Sequence, residues 1–145
     1  MTPCHCQAQH ARRRVVLTGG PGAGKTAVLE LVRQAFCRHV DVLPEAASIL
    51  FAGGFGRSAT AIGREAAQRA IFHVQRELET VAEEQNHAVT LCDRGTVDGF
   101  ASWPQEGAGY WAGLGTTRAA GFAPYATVIH LRPPPTGNGS THPHP

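Results

Sequence analysis

Lysine is almost missing from this chain. Of its 13 basic residues 12 are arginine, and the single lysine is Lys25. Charge of either sign is sparse, at 17% of 145 residues, with a formal net charge of +2. So weak a basic excess gives no case for binding nucleic acid or a membrane surface. The run Arg12-Arg13-Arg14 is expected to cap the solvent-facing start of a strand instead. Apolar runs are short, none near eighteen residues, so no bilayer span is expected. Only Val15, Val16 and Leu17 follow the arginines before glycines and Lys25. That is too little for the apolar core of a signal peptide, and a cytoplasmic protein is expected. The four cysteines do not read as a disulfide framework. Cys37 falls in a helical pattern and Cys92 ends an apolar run, so both are expected as small core residues. Cys4-His5-Cys6 and His10 are metal-ligand types without a second half-site, in what reads as a disordered leader.

What is present is concentrated in one stretch. Arg14-Val15-Val16-Leu17-Thr18 leads into Gly19-Gly20-Pro21-Gly22-Ala23-Gly24-Lys25-Thr26, which spells G-x-x-x-x-G-K-T, the P-loop pattern. Glycines let backbone N–H groups converge on phosphate oxygens, and the helix that follows adds its dipole. Lys25 supplies a mobile point charge toward the outer phosphates, and the Thr26 hydroxyl is placed to ligate Mg²⁺. A chain that uses arginine everywhere else uses lysine here, where a compact ammonium differs from a planar fork.

With 145 residues the chain is one domain, at the low end for an α/β nucleotide-binding fold. Val28, Leu29, Val32, Ala35 and Phe36 fall on one face of a helix expected to end near His39. Val40–Leu43 reads as a second strand, and a helical piece follows from Ala46 to Ala52, stopped by Gly53-Gly54. The longest helix is expected from Thr60 to Gln85, with Ile62, Ala66, Ala70, Val74, Leu78 and Ala82 on its buried face. A third strand, Ala88–Cys92, ends in Asp93-Arg94-Gly95. Thr96 is expected to cap a short helix broken by Trp103-Pro104, and a loop spans Gln105–Gly109. A weaker helix is expected from Tyr110 to Ala120, then a fourth strand, Thr127–Leu131. Residues 1–12 read as a disordered leader, 13–132 as the domain and 133–145 as a disordered proline-rich tail. His142 and His144 there read as solvated. Strands alternating with helices predict a parallel sheet, with ligands at the strands' C-terminal ends. Gly19–Thr26, Glu45 and Asp93-Arg94 each follow a strand and are expected to converge.

The convergent groups carry distinct roles. Asp93 stands where P-loop proteins place a carboxylate for Mg²⁺, and it is expected to serve as a metal ligand or as a base for an attacking hydroxyl, the ordinary alternative being an N-cap or turn aspartate. Arg94 is either a clamp for phosphate or substrate, or the partner of Glu45 in a structural ion pair. Glu45 sits where an acceptor hydroxyl would lie, although a glutamate at a helix start is equally well explained by the macrodipole. Asp98 reads as a helix N-terminal charge ahead of a catalytic group, and Arg118 as a solvated arginine ahead of one that reaches phosphates from a helix packed over the loop. Trp103, Tyr110 and Trp111 form either a ring-binding wall or, more ordinarily, part of the core.

Val15–Thr26, Pro44-Glu45-Ala46-Ala47, the stretch from Cys92 to Gly99 and Val128–Arg132 resemble the NadR-like AAA-type P-loop ATPases, relatives of ribosylnicotinamide and nucleoside kinases. The resemblance covers roughly residues 13–132. It implies the α/β three-layer sandwich of P-loop NTPases with a mainly parallel sheet. It also implies ATP at Gly19–Thr26, Mg²⁺ held by Thr26 and Asp93, and a second substrate faced by Arg94 and Glu45. Such proteins continue past the fourth strand with an arginine-bearing lid, another strand and a closing helix, which the 13 residues after Arg132 cannot supply. A truncated product with one uncovered sheet edge is therefore expected.

The expected activity is a kinase-like transfer of the γ-phosphoryl group of ATP–Mg²⁺ to a small nucleoside-like acceptor, or its hydrolysis. The alternatives are a regulatory nucleotide-binding module without turnover and an inactive fragment. No guanine-reading N-K-x-D motif is evident, which favours ATP. The sequence names neither the acceptor nor a protein partner.

Overall fold

A parallel sheet of four strands, in the order β2-β3-β1-β4, organises the computed structural model, which describes residues 7, 10–20, 22–85 and 87–135. The strands are β1 (Arg13–Gly19), β2 (Val40–Leu43), β3 (Val89–Asp93) and β4 (Thr127–Leu131). The helices are α1 (Lys25–Ala35), α2 (Ala46–Ala52), α3 (Ala61–Glu84), α4 (Tyr110–Gly113) and α5 (Arg118–Phe122). Short 3₁₀ turns cover Asp98–Ser102 and Gln105–Gly107. The expected α/β class and parallel sheet are both present. The leader residues Cys4, His5 and Cys6, and His142 and His144 of the tail, lie outside the described residues.

The alternation of strand side chains builds two cores. Val16, Leu43 and Cys92 point to the face covered by Leu78 and Ala82 of α3 and by Tyr125. Leu17 and Leu91 point to the opposite face, against Val28, Leu29 and Val32 of α1. The register pairs Val16 with Cys92 and Leu17 with Asp93, so β1 and β3 end side by side. The connection from β1 to β2 crosses one face toward one edge. That from β3 to β4 crosses the other face toward the opposite edge. Their divergence leaves a crevice at the C-terminal ends of β1 and β3.

Several local expectations change. The buried face of α3 is Ala67, Phe72, Gln75, Glu79 and Ala82, while Ile62 is 80% exposed. On the buried face Glu79 is a hub. Its carboxylate meets Arg14 Nη1 at 3.1 Å and accepts from Gln75 Nε2 at 2.7 Å and Tyr125 Oη at 2.6 Å. Arg14 is accordingly no solvent-facing cap; it also pairs with Glu83 at 2.5 Å. A buried charge with this many partners is what makes its burial tolerable.

Helix α1 stops at Ala35, four residues early, leaving Phe36 about half exposed. Cys37 lies beyond the helix, half-buried, with Sγ 3.0 Å from His39 Nδ1, whereas Cys92 is fully buried in the core as expected. Burial, reinforced by the Glu79 charge, pushes the Cys92 thiol up to about 12. The helix expected over Tyr110–Ala120 is two short pieces, because Gly115 takes a left-handed φ of 68° between them. Strand β4 lies at the sheet edge with Val128 and Ile129 each nearly half exposed.

Candidate functional site

The turn after β1 is shaped by close approach. A side chain at Gly19 would place its Cβ 2.7 Å from the carbonyl oxygen of Leu131 on β4. Gly24 occupies the N-cap of α1 with φ 85°, a left-handed conformation that costs an ordinary residue about 1 kcal/mol or more. Hypothetical Cβ atoms on Gly20, Gly22 and Gly24 meet nothing within 4 Å, so the loop turns an unobstructed backbone surface outward. Pro21 lies outside the described residues. Lys25 and Thr26 form the first turn of α1, with Thr26 exposed.

The strand ends bring the other groups to Lys25. Its ammonium contacts the Asp93 carboxylate closely and lies 3.3 Å from Glu45 Oε2. Asp93 is the last residue of β3. Glu45 stands two residues past β2 at the N-cap of α2, but its side chain makes no cap hydrogen bond. The Glu45 backbone thus starts the helix while its carboxylate faces Lys25. Arg94 Nε lies 3.6 Å from the same Glu45 Oε2, and Arg94 Nη2 donates to the Gly19 carbonyl at 3.3 Å. Two cations and two carboxylates thus form a chain, Asp93–Lys25–Glu45–Arg94, tied to the loop.

Arg94 is held under tension. Its φ is 67°, in the left-handed region, and its Nε is enclosed without a hydrogen-bond partner. Strained, underbonded groups of this kind cluster at working sites. The turn is locked in place by Asp98, which accepts from the Thr18 hydroxyl and, at 2.7 Å, from the Gly95 N–H. Asp98 begins the 3₁₀ turn, so its expected place at a helix start is correct, and it clamps the β3 turn onto β1 besides. Thr96 is not a cap. It is buried, and its hydroxyl donates to the Gly121 carbonyl.

Beside Glu45 and Arg94 opens a cleft of about 510 Å³ between α2, α3 and the segment after β3. Its walls include Phe51, Arg57, Arg64, Gln68, Gln75 and Asp98. Of these only Asp98 was singled out in the sequence, since the others lack a motif and are gathered by packing. Trp103 and Tyr110 belong to a core cluster with Phe72 and Leu114, so the ordinary role of these aromatics holds, although Tyr110 also reaches the cleft. Burial and the nearby Asp98 raise the Tyr110 phenol well above its usual range. Arg118 lies over the Phe122 ring, 5.6 Å from its centre. Among the described residues no group of three or more His, Cys, Asp or Glu side chains forms a metal cluster. Nor does any helix among them have the length and apolarity to cross a membrane.

A glycine loop joining a central parallel strand to a helix, with its lysine facing a carboxylate at the next strand's end, defines a P-loop nucleotide-binding protein. The family model described as an AAA domain matches residues 14–141. The chain belongs to this family of AAA-type P-loop NTPases. No curated protein matches it.

Proposed function

We propose that the chain is an ATP-dependent enzyme of kinase type, moving the γ-phosphoryl group of ATP–Mg²⁺ to a small nucleoside-like acceptor or to water. One observation carries this reading: the lysine of the loop meets the Asp93 and Glu45 carboxylates where Arg94 borders a cleft. The residues present suit the nucleotide and the ion. At Gly20, Gly22 and Gly24 the loop turns an open backbone surface outward, and Lys25 brings a cation to it. The Thr26 hydroxyl and the Asp93 carboxylate are hard oxygen donors of the kind Mg²⁺ prefers. Bound ATP–Mg²⁺ would supply the activated phosphoryl group. Phosphoryl transfer asks the protein mainly for positioning and charge neutralisation. Lys25 and Arg94 bring positive charge to that end of the sheet. Asp93 and Glu45 are the carboxylates able to take a proton from an acceptor hydroxyl, with Glu45 bordering the cleft and Arg94 beside it. A cytoplasmic location belongs to the same proposal.

A nucleotide-binding module without turnover is the second reading. It is favoured by Arg118, which lies against Phe122 rather than over the loop, leaving Arg94 as the arginine bonded to it among the described residues. ADP release measured across a panel of nucleosides, beside Lys25→Ala, separates the two. Release that rises with one acceptor supports the kinase. ATP–Mg²⁺ binding with turnover no faster than in the variant supports the module and counts against catalysis.

A further inference from the structure

The cleft beside Glu45 and Arg94 has an unbalanced charge. Its carboxylates are already occupied: Glu45 by Lys25 and Arg94, Asp98 by the Thr18 hydroxyl and the Gly95 N–H. Its outer arginines are not. Arg57 lies with its guanidinium 4.1 Å from the centre of the Phe51 ring, and Arg64 donates to the Ser102 carbonyl at 3.1 Å. Among the described residues neither has an acidic partner within ion-pair distance.

Both arginines come from the segment that enters α3. Arg57 precedes the Thr60 cap and Arg64 sits in the first turn of this 24-residue helix. The helix start adds its own partial positive charge to theirs. Each guanidinium is also pre-oriented, one by an aromatic face and the other by a carbonyl, so little side-chain freedom is left to lose on binding. A cleft that neutralises its own anions and leaves two oriented arginines open is complementary to an anion.

Resting on the reading of this cleft as the acceptor site, we propose that the acceptor carries a phosphate group of its own. Arg57 and Arg64 hold that phosphate, while the acceptor's hydroxyl lies toward Glu45 and Arg94. A nucleoside monophosphate is the acceptor class that matches, and a bare nucleoside would leave both guanidiniums unpaired.

The test is equilibrium binding by calorimetry of AMP, CMP, GMP and UMP against their four nucleosides, with the loop saturated by a non-hydrolysable ATP analogue and Mg²⁺. At least one monophosphate is expected to bind roughly 10- to 100-fold more tightly than its nucleoside, the range for charge-assisted hydrogen bonds. In the Arg57→Gln, Arg64→Gln double variant that preference is expected to fall to within about threefold. Monophosphates that bind no better than nucleosides would overturn the proposal, as would a preference that survives the double substitution, since the anion would then sit elsewhere. The thermal midpoint of the double variant, with and without the ATP analogue, reports its folding and its loop. If it fails to melt cooperatively, Arg57→Gln alone carries the comparison, because this side chain is exposed. If the analogue raises no midpoint in the wild type, the P-loop reading fails. The monophosphate preference and its loss in the variant still decide the cleft.

Discussion

Arg94 Nε lies 3.6 Å from Glu45 Oε2, although the two residues follow different strands. The contact exists because β2 and β3 are parallel neighbours whose register pairs Leu43 with Cys92, so both chains leave the sheet at the same level. Of the two alternatives open for Arg94, the contact is the ion pair with Glu45, formed by a side chain that also borders the cleft.

The left-handed backbone of Arg94 separates its conformation from its side chain. Arg94→Ala removes the contacts to Glu45 and Gly19 but keeps a Cβ at φ 67°. Arg94→Gly removes both. Urea denaturation is expected to find the glycine variant more stable than the alanine variant by about 1 kcal/mol, the relief of a left-handed non-glycine residue. Equal stabilities would mean that Arg94 carries no backbone strain. Under the proposed function, both variants lose acceptor-dependent ADP release.

Lys25 is the test of the loop. Lys25→Ala is expected to abolish the rise in thermal midpoint that ATP–Mg²⁺ produces in the wild type. At a ligand concentration of 100 times Kd that rise corresponds to about 2.7 kcal/mol. The variant also leaves Asp93 and Glu45 facing each other without their shared cation, so its midpoint without nucleotide is expected to fall as well. A midpoint that still responds fully to nucleotide would place the binding site elsewhere.

Glu79 is expected to be among the costliest polar positions to change. Its side chain is 2% exposed and serves Arg14, Gln75 and Tyr125 together. Glu79→Ala leaves the buried Gln75 amide without its acceptor. It also takes one carboxylate from Arg14, which keeps Glu83, and one acceptor from Tyr125, which keeps Thr96 Oγ1. A loss of about 2–3 kcal/mol is therefore expected in chemical denaturation. A double-mutant cycle with Tyr125→Phe should show strong coupling, because the two substitutions remove one network. Additive effects would mean the hub is not cooperative.

Stability should decline on the alkaline side. The thiol of Cys92 is raised to about 12 in the folded chain, and burial raises the phenols of Tyr110 and Tyr125 above their usual range, in Tyr125 with help from Glu79. Acids whose folded value lies above the unfolded one bind more protons when folded. Their stabilisation is therefore complete below the unfolded value and is lost as pH rises through the window up to the folded one. Cys92 contributes a fall of about 1.4 kcal/mol per pH unit beginning near pH 9, and the tyrosines steepen it above about pH 10. Denaturation curves from pH 8 to 10.5 should show this slope, with the early part missing in Cys92→Ala. A flat profile in the wild type would contradict the burial of these groups.

The sequence was most legible where local chemistry is decisive. Val40–Leu43, Ala46–Ala52 and Thr127–Leu131 have the bounds expected, because short β-branched runs and glycine stops need no distant partner. It was least legible along α3. Counting apolar residues every fourth position placed Ile62 inside, but Gln75 and Glu79 face inward, and only Arg14 and Tyr125 from other elements make that tolerable. The segment after Tyr110 differs from its expected single helix because the left-handed Gly115 divides it in two.

The sequence by itself determined the P-loop and its one lysine, the α/β class, and the strand ends where Glu45, Asp93 and Arg94 stand. These follow from spacing and residue type within a few positions of one another. Only the tertiary structure decided that Lys25 is shared by Asp93 and Glu45, that Asp98 clamps Thr18, and that Arg57 and Arg64 border a cleft without an acidic partner among the described residues. Those relationships depend on strand order and register, which bring together residues whose separation in the chain carries no periodic signal.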